Sequence, residues 1–412
     1  MNKITCKNCV LHSRIPEVVI DEKGVCNECS DTRSDKRARS MMSVHFTKKM
    51  NALVDTVKQE KWVYDAIVLL SGGKDSGYLL HYVKEKLGLR PLAFSCVHTL
   101  VNSTAAENMQ KIADKIGVDL IKFTPDEDVF RKVLGHTLMT AHDRGMDENA
   151  GCGGCSFFPI NTSLMLAIKM NIPLVFTGLD INQSETPVFV DSEMMKDGFK
   201  NKTVINAPIY DVAKEVLGAE YEKSIYQYDW DEISESRFPA LIAPFTFIDY
   251  DFRSNYDLFT DLGLDADSFK TAFTNCDAVP FLSYVSLKRY DCLTYIRHYA
   301  SEIRNGYPTF MQSKDEHEKA EALSKNTIEK LIREYESAIS FVVQRDIDNV
   351  NITDSIKDEI FAIAKTHTEI YGPQVLEEFL RQILKVNEYG RFFEVDFNKI
   401  EPAWKQTVEV EA

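Results

Sequence analysis

Six residues, Ser71-Gly72-Gly73-Lys74-Asp75-Ser76, constrain this chain more than any others because of what flanks them. They follow Tyr64-Asp65-Ala66-Ile67-Val68-Leu69-Leu70, a short apolar run of the kind that forms a strand buried on both faces. They precede a helical pattern from Gly77 to Leu87. A strand that runs through a glycine loop into a helix opens a β-α-β unit, and such units build parallel sheets covered by helices. The loop then lies at the carboxyl end of its strand, where an open α/β sheet presents its ligand. Gly72 and Gly73 let the backbone approach an anion, the first N–H groups of the helix donate to its oxygens, and Lys74 adds positive charge. Asp75 could hold Mg2+ or the turn itself, and Ser71 and Ser76 offer hydroxyls. The spacing is not that of a Gly-x-x-x-x-Gly-Lys-Ser/Thr loop.

The same alternation continues. Residues 91–97, 119–123 and 173–178 read as strands, and 48–58, 105–116 and 162–170 as helices, so the fold class is α/β with a parallel sheet. Residues 176–183 end a strand and should face the same cleft as the phosphate loop. There Gly178 permits close approach, while Asp180 and Gln183 bind Mg2+ or substrate, or simply cap a turn. After Gly306 the pattern becomes long amphipathic helices, with Ile328, Leu331, Ile332, Tyr335, Ile339 and Val342 on one face. These helices serve core packing or a subunit interface, the latter implying a homodimer. The organisation read from the chain is therefore an N-terminal module over 1–40, an α/β domain over 48–305 and a helical region over 306–412.

The N-terminal module is a zinc ribbon by its spacing. Cys6-Lys7-Asn8-Cys9 and Cys26-Asn27-Glu28-Cys29 can close a tetrahedral four-cysteine site, with Gly24 making the tight turn that returns the second pair. Four thiolates leave Zn2+ no open position, so the metal is structural. A further pair stands in Gly151-Cys152-Gly153-Gly154-Cys155-Ser156. Nine cysteines, six of them in Cys-x-x-Cys pairs, read as ligands or reactive thiols in a reducing compartment. No apolar signal segment opens the chain and no stretch matches a membrane span, so a cytoplasmic location and no membrane contact are expected. The net charge of −15 argues against a surface built to grip nucleic acid. The basic run Arg33, Lys36, Arg37, Arg39, Lys48 and Lys49 reads as a solvated linker rather than an RNA contact.

At residues 71–76 the chain resembles the PP-loop superfamily of ATP pyrophosphatases, or adenine nucleotide alpha hydrolases, whose motif is Ser-Gly-Gly-x-Asp-Ser. The resemblance implies an HUP-like parallel sheet, ATP with Mg2+ at the loop, and cleavage to AMP and pyrophosphate. A substrate oxygen is adenylated and then replaced by nitrogen or sulfur. It gives Lys74 and Asp75 catalytic roles, residues 71–76 the nucleotide, and Cys96 a place in the core or the adenine-pocket wall. His98 and His142 are read as satisfied core or surface residues, with His98 alternatively lining the ATP cleft. An adenine nucleotide sensor without turnover is the non-enzymatic reading.

Two branches of the superfamily compete. The N-terminus, Cys6-x-x-Cys9-Val10-Leu11 through Cys26-x-x-Cys29, resembles the amidotransferases that act on N-acetyl sugars of surface glycans. That reading implies a sugar substrate and a partner glutaminase supplying ammonia. Cys152 and Cys155 resemble the pair in iron–sulfur tRNA thiolases, where with a third cysteine, here Cys276, they hold a 4Fe-4S cluster. Three thiolates leaving one iron open suit sulfur delivery. The pair could instead form a persulfide and disulfide relay, bind a second zinc, or pack inertly. Cys292 is a weaker third ligand, since it falls in a helix expected over 290–300. Sulfur transfer, fed by sulfide or a sulfur donor protein, is preferred on the strength of Cys152 and Cys155. The acidic charge makes a small molecule or sugar a more natural acceptor than tRNA.

Overall fold

A computed structural model describes residues 2–31, 36–184, 186–200, 207–224, 233–250, 256–262, 275–292, 294–305, 386–396 and 399–403. The helices expected over 328–383 lie outside these residues. Compactness gathers the chain into two units, each discontinuous in sequence. One comprises Met1–Ser34, Gly135–Cys152 and Lys270–Ala412; the other comprises Asp35–Leu134 and Gly153–Phe269.

The second unit holds the sheet. Its strands are β1 (Ala66–Leu69), β2 (Pro91–Cys96), β3 (Leu120–Phe123), β4 (Leu174–Phe176), β5 (Val188–Val190) and β6 (Ala240–Ala243), in the order β3-β2-β1-β4-β6-β5. Every pairing is parallel except the edge strand β5, which runs antiparallel to β6. This is the expected α/β fold, with two strands beyond those the sequence suggests. Side chains alternate across the sheet with a period of two. Ala66 and Val68 of β1, Ala93 of β2, Leu174 and Phe176 of β4 and Ile242 of β6 enter one core. Ile67, Leu92, Phe94, Val175 and Leu241 enter the other.

Helices cover both faces, and the chain also forms α1 (Asn27–Ser30), α7 (Ser192–Lys200), α8 (Ala207–Leu217) and α9 (Tyr256–Asp261). On the first face, α2 (Lys36–Lys58) contributes Met50, Val54 and Val57, α3 (Lys74–His81) contributes Leu79 and Leu80, and α4 (Ser103–Ile116) contributes Met109 and Ile112. The basic run read as a linker is helical from Lys36 onward. On the second face Leu164, Ala167 and Ile168 come from α6 (Ala150–Met170), which is preceded in the chain by α5 (Glu127–Thr140). The sequence pattern suggests a start at Thr162 for this helix; it begins twelve residues earlier, and so carries Cys152 and Cys155 in its first turns. Among the described residues α6 is also long and apolar enough to cross a membrane, which corrects the expectation that no such stretch exists. Half of that apolar stretch is buried, with Leu164, Ala167 and Ile168 packed in the core on the sheet's second face.

In the first unit, the N-terminal residues pack on α10 (Val279–Tyr290) and α11 (Ile296–Asn305). Leu11, Ile15 and Val18 share a core with Tyr290, Cys292, Ile296 and Ala300. The helix expected through Cys292 is broken: α10 ends at Tyr290, and Asp291 turns the chain with φ +60°. Cys292 falls in that break and is fully buried, so it is a core residue of this cluster.

Candidate functional site

The sheet reverses its order between β1 and β4, because β2 and β3 extend one way and β6 and β5 the other. Ligands of open α/β sheets bind outside the carboxyl ends of the strands at such a reversal. Residues 71–76 leave β1 at this point, and Gly178 follows β4 directly beside them.

The loop is shaped by sterics. Gly72 adopts φ +79°, and a Cβ there would meet the Ala105 carbonyl oxygen at 2.1 Å, so both torsion and space demand glycine. Gly73 is the N-cap of α3 and brings no side chain to bond the first N–H groups of the helix. The hydroxyls tie the loop from within. Ser76 Oγ donates to Gly73 O (3.1 Å) and accepts from the Ser71 N–H (3.1 Å). The single Ser76 proton is thereby used, so in the 3.1 Å contact between the two hydroxyls Ser71 donates. At Gly178 a Cβ would lie 3.2 Å from Ser76 N, which is the close approach the sequence suggests.

Asp75 has two partners at once. Lys74 Nζ donates to Oδ2 at 2.8 Å and Tyr250 Oη donates to Oδ1 at 2.9 Å. Tyr250 is stacked on Phe245 at 4.0 Å, and its hydroxyl is pushed well above the usual phenol range by burial first, then by the charge of Asp75, with Asp180 adding to it. The Tyr250 hydroxyl thus feels both Asp75 and Asp180. Sequence reasoning missed Tyr250, which stands 175 residues from Asp75 with no local motif around it. Asp180 and Gln183 form a capped turn: Asp180 Oδ1 accepts from the N–H groups of Asn182 (3.0 Å) and Gln183 (2.9 Å), and Gln183 Oε1 accepts from Asp180 N (3.1 Å). Cys96 ends β2, where burial raises its thiol to about 12.

Two residues beyond β2 stands His98. Its Nε2 is 3.3 Å from Cys155 Sγ, its Nδ1 accepts from the Leu100 N–H at 3.2 Å, and its ring stacks on Phe130 at 4.5 Å. Burial lowers this imidazole to about 4. His98 is therefore a half-buried residue with both ring nitrogens satisfied, as the sequence suggests. Since β1 and β2 are neighbours paired Leu69 to Phe94, His98 meets the Cys155 sulfur at the same sheet edge on which the loop 71–76 opens.

In the other unit Cys152 Sγ lies 3.1 Å from Tyr295 Oη, and burial raises the Cys152 thiol to about 11. Cys276 is raised to about 12, by burial first and next by the charge of Cys152, so these two sulfurs are electrostatic neighbours. His142 meets Tyr290 edge-on at 6.5 Å, a packing contact.

The same unit contains Cys6, Cys9, Cys26 and Cys29, whose sulfurs all lie within 4.8 Å of one another. Among the described residues this is the one group of three or more ligand side chains so gathered. Asp21 Oδ1 accepts from the N–H groups of Lys23 and Val25 (2.9 and 2.8 Å), and Gly24 turns at φ +81°, which returns the second pair to the first. The sulfurs of Cys6 and Cys29 are 3.9 Å apart, and those of Cys9 and Cys26 3.7 Å. A tetrahedron with metal–sulfur bonds of about 2.3 Å has edges of about 3.8 Å, so the donors fit a tetrahedral ion. Without one the crowded sulfurs cannot all ionise. Cys9 is pushed up, by its contacts with Cys26 and Cys29 before burial, while Cys26 is held down by its bonds with Cys29 and Cys9. Arg304 Nη1 lies 3.9 Å from Cys9 Sγ and Nη2 3.3 Å from Glu28, bringing a cation to the thiolates. Arg297 bonds Glu28 and also Glu148 (3.0 Å), whose carboxyl is raised to about 7 by burial.

No family model matches the chain. An uncharacterized protein of Methanocaldococcus jannaschii is 24% identical over 197 residues, 47% of this chain, and the chain spans 64% of that relative's length. Among solved structures, the U34-tRNA thiolase NcsA from Methanococcus maripaludis with its 4Fe-4S cluster is similar at 16% identity. The match covers 82% of this chain and 89% of that one with a TM-score of 0.31, a likeness too shallow to assign chemistry.

Proposed function

We propose that this chain is a PP-loop ATP pyrophosphatase that adenylates a substrate oxygen and replaces it with sulfur. One observation carries the reading. The phosphate loop leaving β1 and the Cys155 sulfur held by His98 beyond β2 lie at the carboxyl edge of adjacent strands. A nucleotide activated at the loop and a sulfur on Cys155 would thus serve one substrate.

The geometry supports the following roles. Gly72, Gly73 and the first turn of α3 face the phosphates, and Lys74 turns from Asp75 to balance their charge. Asp75, oriented by Tyr250, takes the Mg2+ that accompanies the nucleotide. Sulfur is carried by Cys152 and Cys155, one turn apart in the first turns of α6. Cys152, Cys155 and Cys276 would hold a 4Fe-4S cluster, which would supply an iron with an open position for sulfide. The alternative is a persulfide on one thiol of the pair, received from the persulfide of a sulfur donor protein, whose outer sulfur attacks the adenylate while the second thiol releases the thiolated product and leaves a Cys152–Cys155 disulfide. Zn2+ fills the four-cysteine site, where it fixes the N-terminal fold.

The test is an anaerobic assay with ATP, Mg2+ and sulfide against candidate acceptors in the presence and absence of ammonia. Equimolar AMP, pyrophosphate and thiolated product are expected, with Cys155→Ser abolishing the thiolated product. Amination of an N-acetyl sugar that survives Cys155→Ser would replace sulfur with nitrogen. ATP bound without either product would make the chain a sensor. Iron and labile sulfide analysis then separates cluster from persulfide.

A further inference from the structure

We infer that His98 is a positioning residue that donates a hydrogen bond from Nε2 to the Cys155 sulfur, and that it is not the base for that thiol. The inference rests on the sulfur-carrying role proposed for Cys155 and says how that sulfur is held.

The geometry decides the direction of the bond. Leu100 N–H points at His98 Nδ1 from 3.2 Å. A backbone amide can only donate, so Nδ1 must present its lone pair and cannot carry a proton. An imidazole with a bare Nδ1 is neutral and carries its proton on Nε2. That nitrogen lies 3.3 Å from Cys155 Sγ, so the N–H faces the sulfur. A base would need the reverse arrangement, with the lone pair on Nε2.

The fold keeps the ring from choosing otherwise. Val97 N bonds Phe123 O (2.8 Å), which continues the sheet pairing past β2, and Val101 N bonds His98 O (3.0 Å), closing a turn over 98–101. Leu100, the donor to Nδ1, is buried in that turn. Phe130 stacks on one face of the imidazole with planes 19° apart, and Phe130 in turn meets Phe158 of α6 at 5.1 Å. Rotating the ring by half a turn would place carbons where both nitrogens bond and forfeit both contacts. The bond thus links the end of β2 to the start of α6, and it stabilises a sulfur that carries negative charge. A thiolate on iron and a persulfide share that property, because a donated hydrogen bond favours the anionic form.

Two measurements on the full-length chain test this, and neither needs turnover. Two-bond proton–nitrogen spectra of the imidazoles, with the His98 signals assigned by their loss in His98→Gln, should show a bare Nδ1 and a protonated Nε2. A protonated Nδ1 overturns the inference. The second compares His98→Gln, which keeps an N–H donor but has no basic nitrogen, with His98→Leu, which has neither. In protein isolated with iron, His98→Leu should hold it about 10- to 100-fold more weakly, the usual effect of losing a partner behind a ligand. In iron-free protein, iodoacetamide labelling of Cys155 should slow about tenfold, since the thiolate is the nucleophile. In either case His98→Gln should recover most of what His98→Leu loses. If Gln behaves like Leu, the ring acts as a base and the inference is wrong. A chain that proves to transfer nitrogen would remove the role of the bond in sulfur delivery while leaving its direction as measured.

Discussion

Replacing Gly72 by alanine should injure stability and nucleotide binding together, and the structure sets the scale. The residue sits at φ +79°, where a side chain costs roughly 1–2 kcal/mol. The added Cβ would stand 2.1 Å from the Ala105 carbonyl oxygen, against 3.4 Å for ordinary contact, so one of them must retreat by about 1.3 Å (3.4 − 2.1). Ala105 is backbone in the first turn of α4, whose Met109 and Ile112 are buried in the core, so it cannot swing aside as a side chain would. Overpacking of this kind costs about 1–3 kcal/mol, for a total near 2–5 kcal/mol. The same shift would move Asn108 Nδ2 from Gly72 O (3.4 Å) and displace the loop from the start of α3. Urea unfolding and ATP titration calorimetry read the two effects, with affinity expected to fall at least about tenfold, or ~1.4 kcal/mol. Gly153→Ala is the control: a Cβ there meets nothing within 4 Å, and the helix should gain up to about 1 kcal/mol. A Gly72→Ala protein with wild-type stability and ATP affinity would refute the reading of this loop.

Three further outcomes are expected. Tyr250→Phe removes one of two hydrogen bonds to Asp75 and should lower ATP turnover about tenfold with the fold intact, since a bond to a charged group contributes about 1.5–3 kcal/mol; unchanged kinetics would show that Tyr250 only packs. Glu148 is raised to about 7 in the fold, so the folded state binds its proton more tightly than the unfolded chain does. Its stabilising effect is then complete below the unfolded carboxyl range and is lost as pH rises toward 7, about 3 kcal/mol in all, and a urea-midpoint profile of Glu148→Gln should be flatter across that window. Cys26→Ser should cost one equivalent of bound metal by elemental analysis and loosen the packing of Leu11 and Val18 on α11, seen as protease cleavage within the first thirty residues.

What the sequence made legible follows from how local each signal is. Strands β1, β2 and β4 are read from short apolar runs because they are buried on both faces, the edge strand β3 is read from its apolar residues around the exposed Lys122, and the loop between β1 and α3 announces itself by six adjacent residues. The two further strands do not. Ala240-Leu241-Ile242-Ala243 is only four residues between Pro239 and Pro244, and Val188–Val190 only three, so neither run is long enough to show a period. The start of α6 is hidden for a different reason. Gly151, Gly153 and Gly154 each cost a helix about 1 kcal/mol, which makes 150–155 look like a loop, yet burial of Phe157, Phe158 and Leu164 in the same helix outweighs that cost. The partners of the site residues are non-local by nature: His98 is 57 residues from Cys155, Tyr295 is 143 from Cys152, and no spacing rule connects them.

The pairing at Asp75 also bears on how nucleotide and cation would arrive. In the structure the Asp75 carboxylate is balanced by Lys74 at 2.8 Å, on side chains only about a fifth exposed. Phosphates at the start of α3 would draw Lys74 toward their own oxygens, because they carry more charge than one carboxylate. Asp75 would then face the phosphates with only the Tyr250 hydroxyl as donor, an arrangement of like charges with little water to screen it. A divalent cation between Asp75 and the phosphates removes that repulsion. On the proposed function the loop would therefore favour the nucleotide and Mg2+ as one complex over either alone, and this coupling would come from three residues, Lys74, Asp75 and Tyr250, of which only the first two are adjacent in the chain.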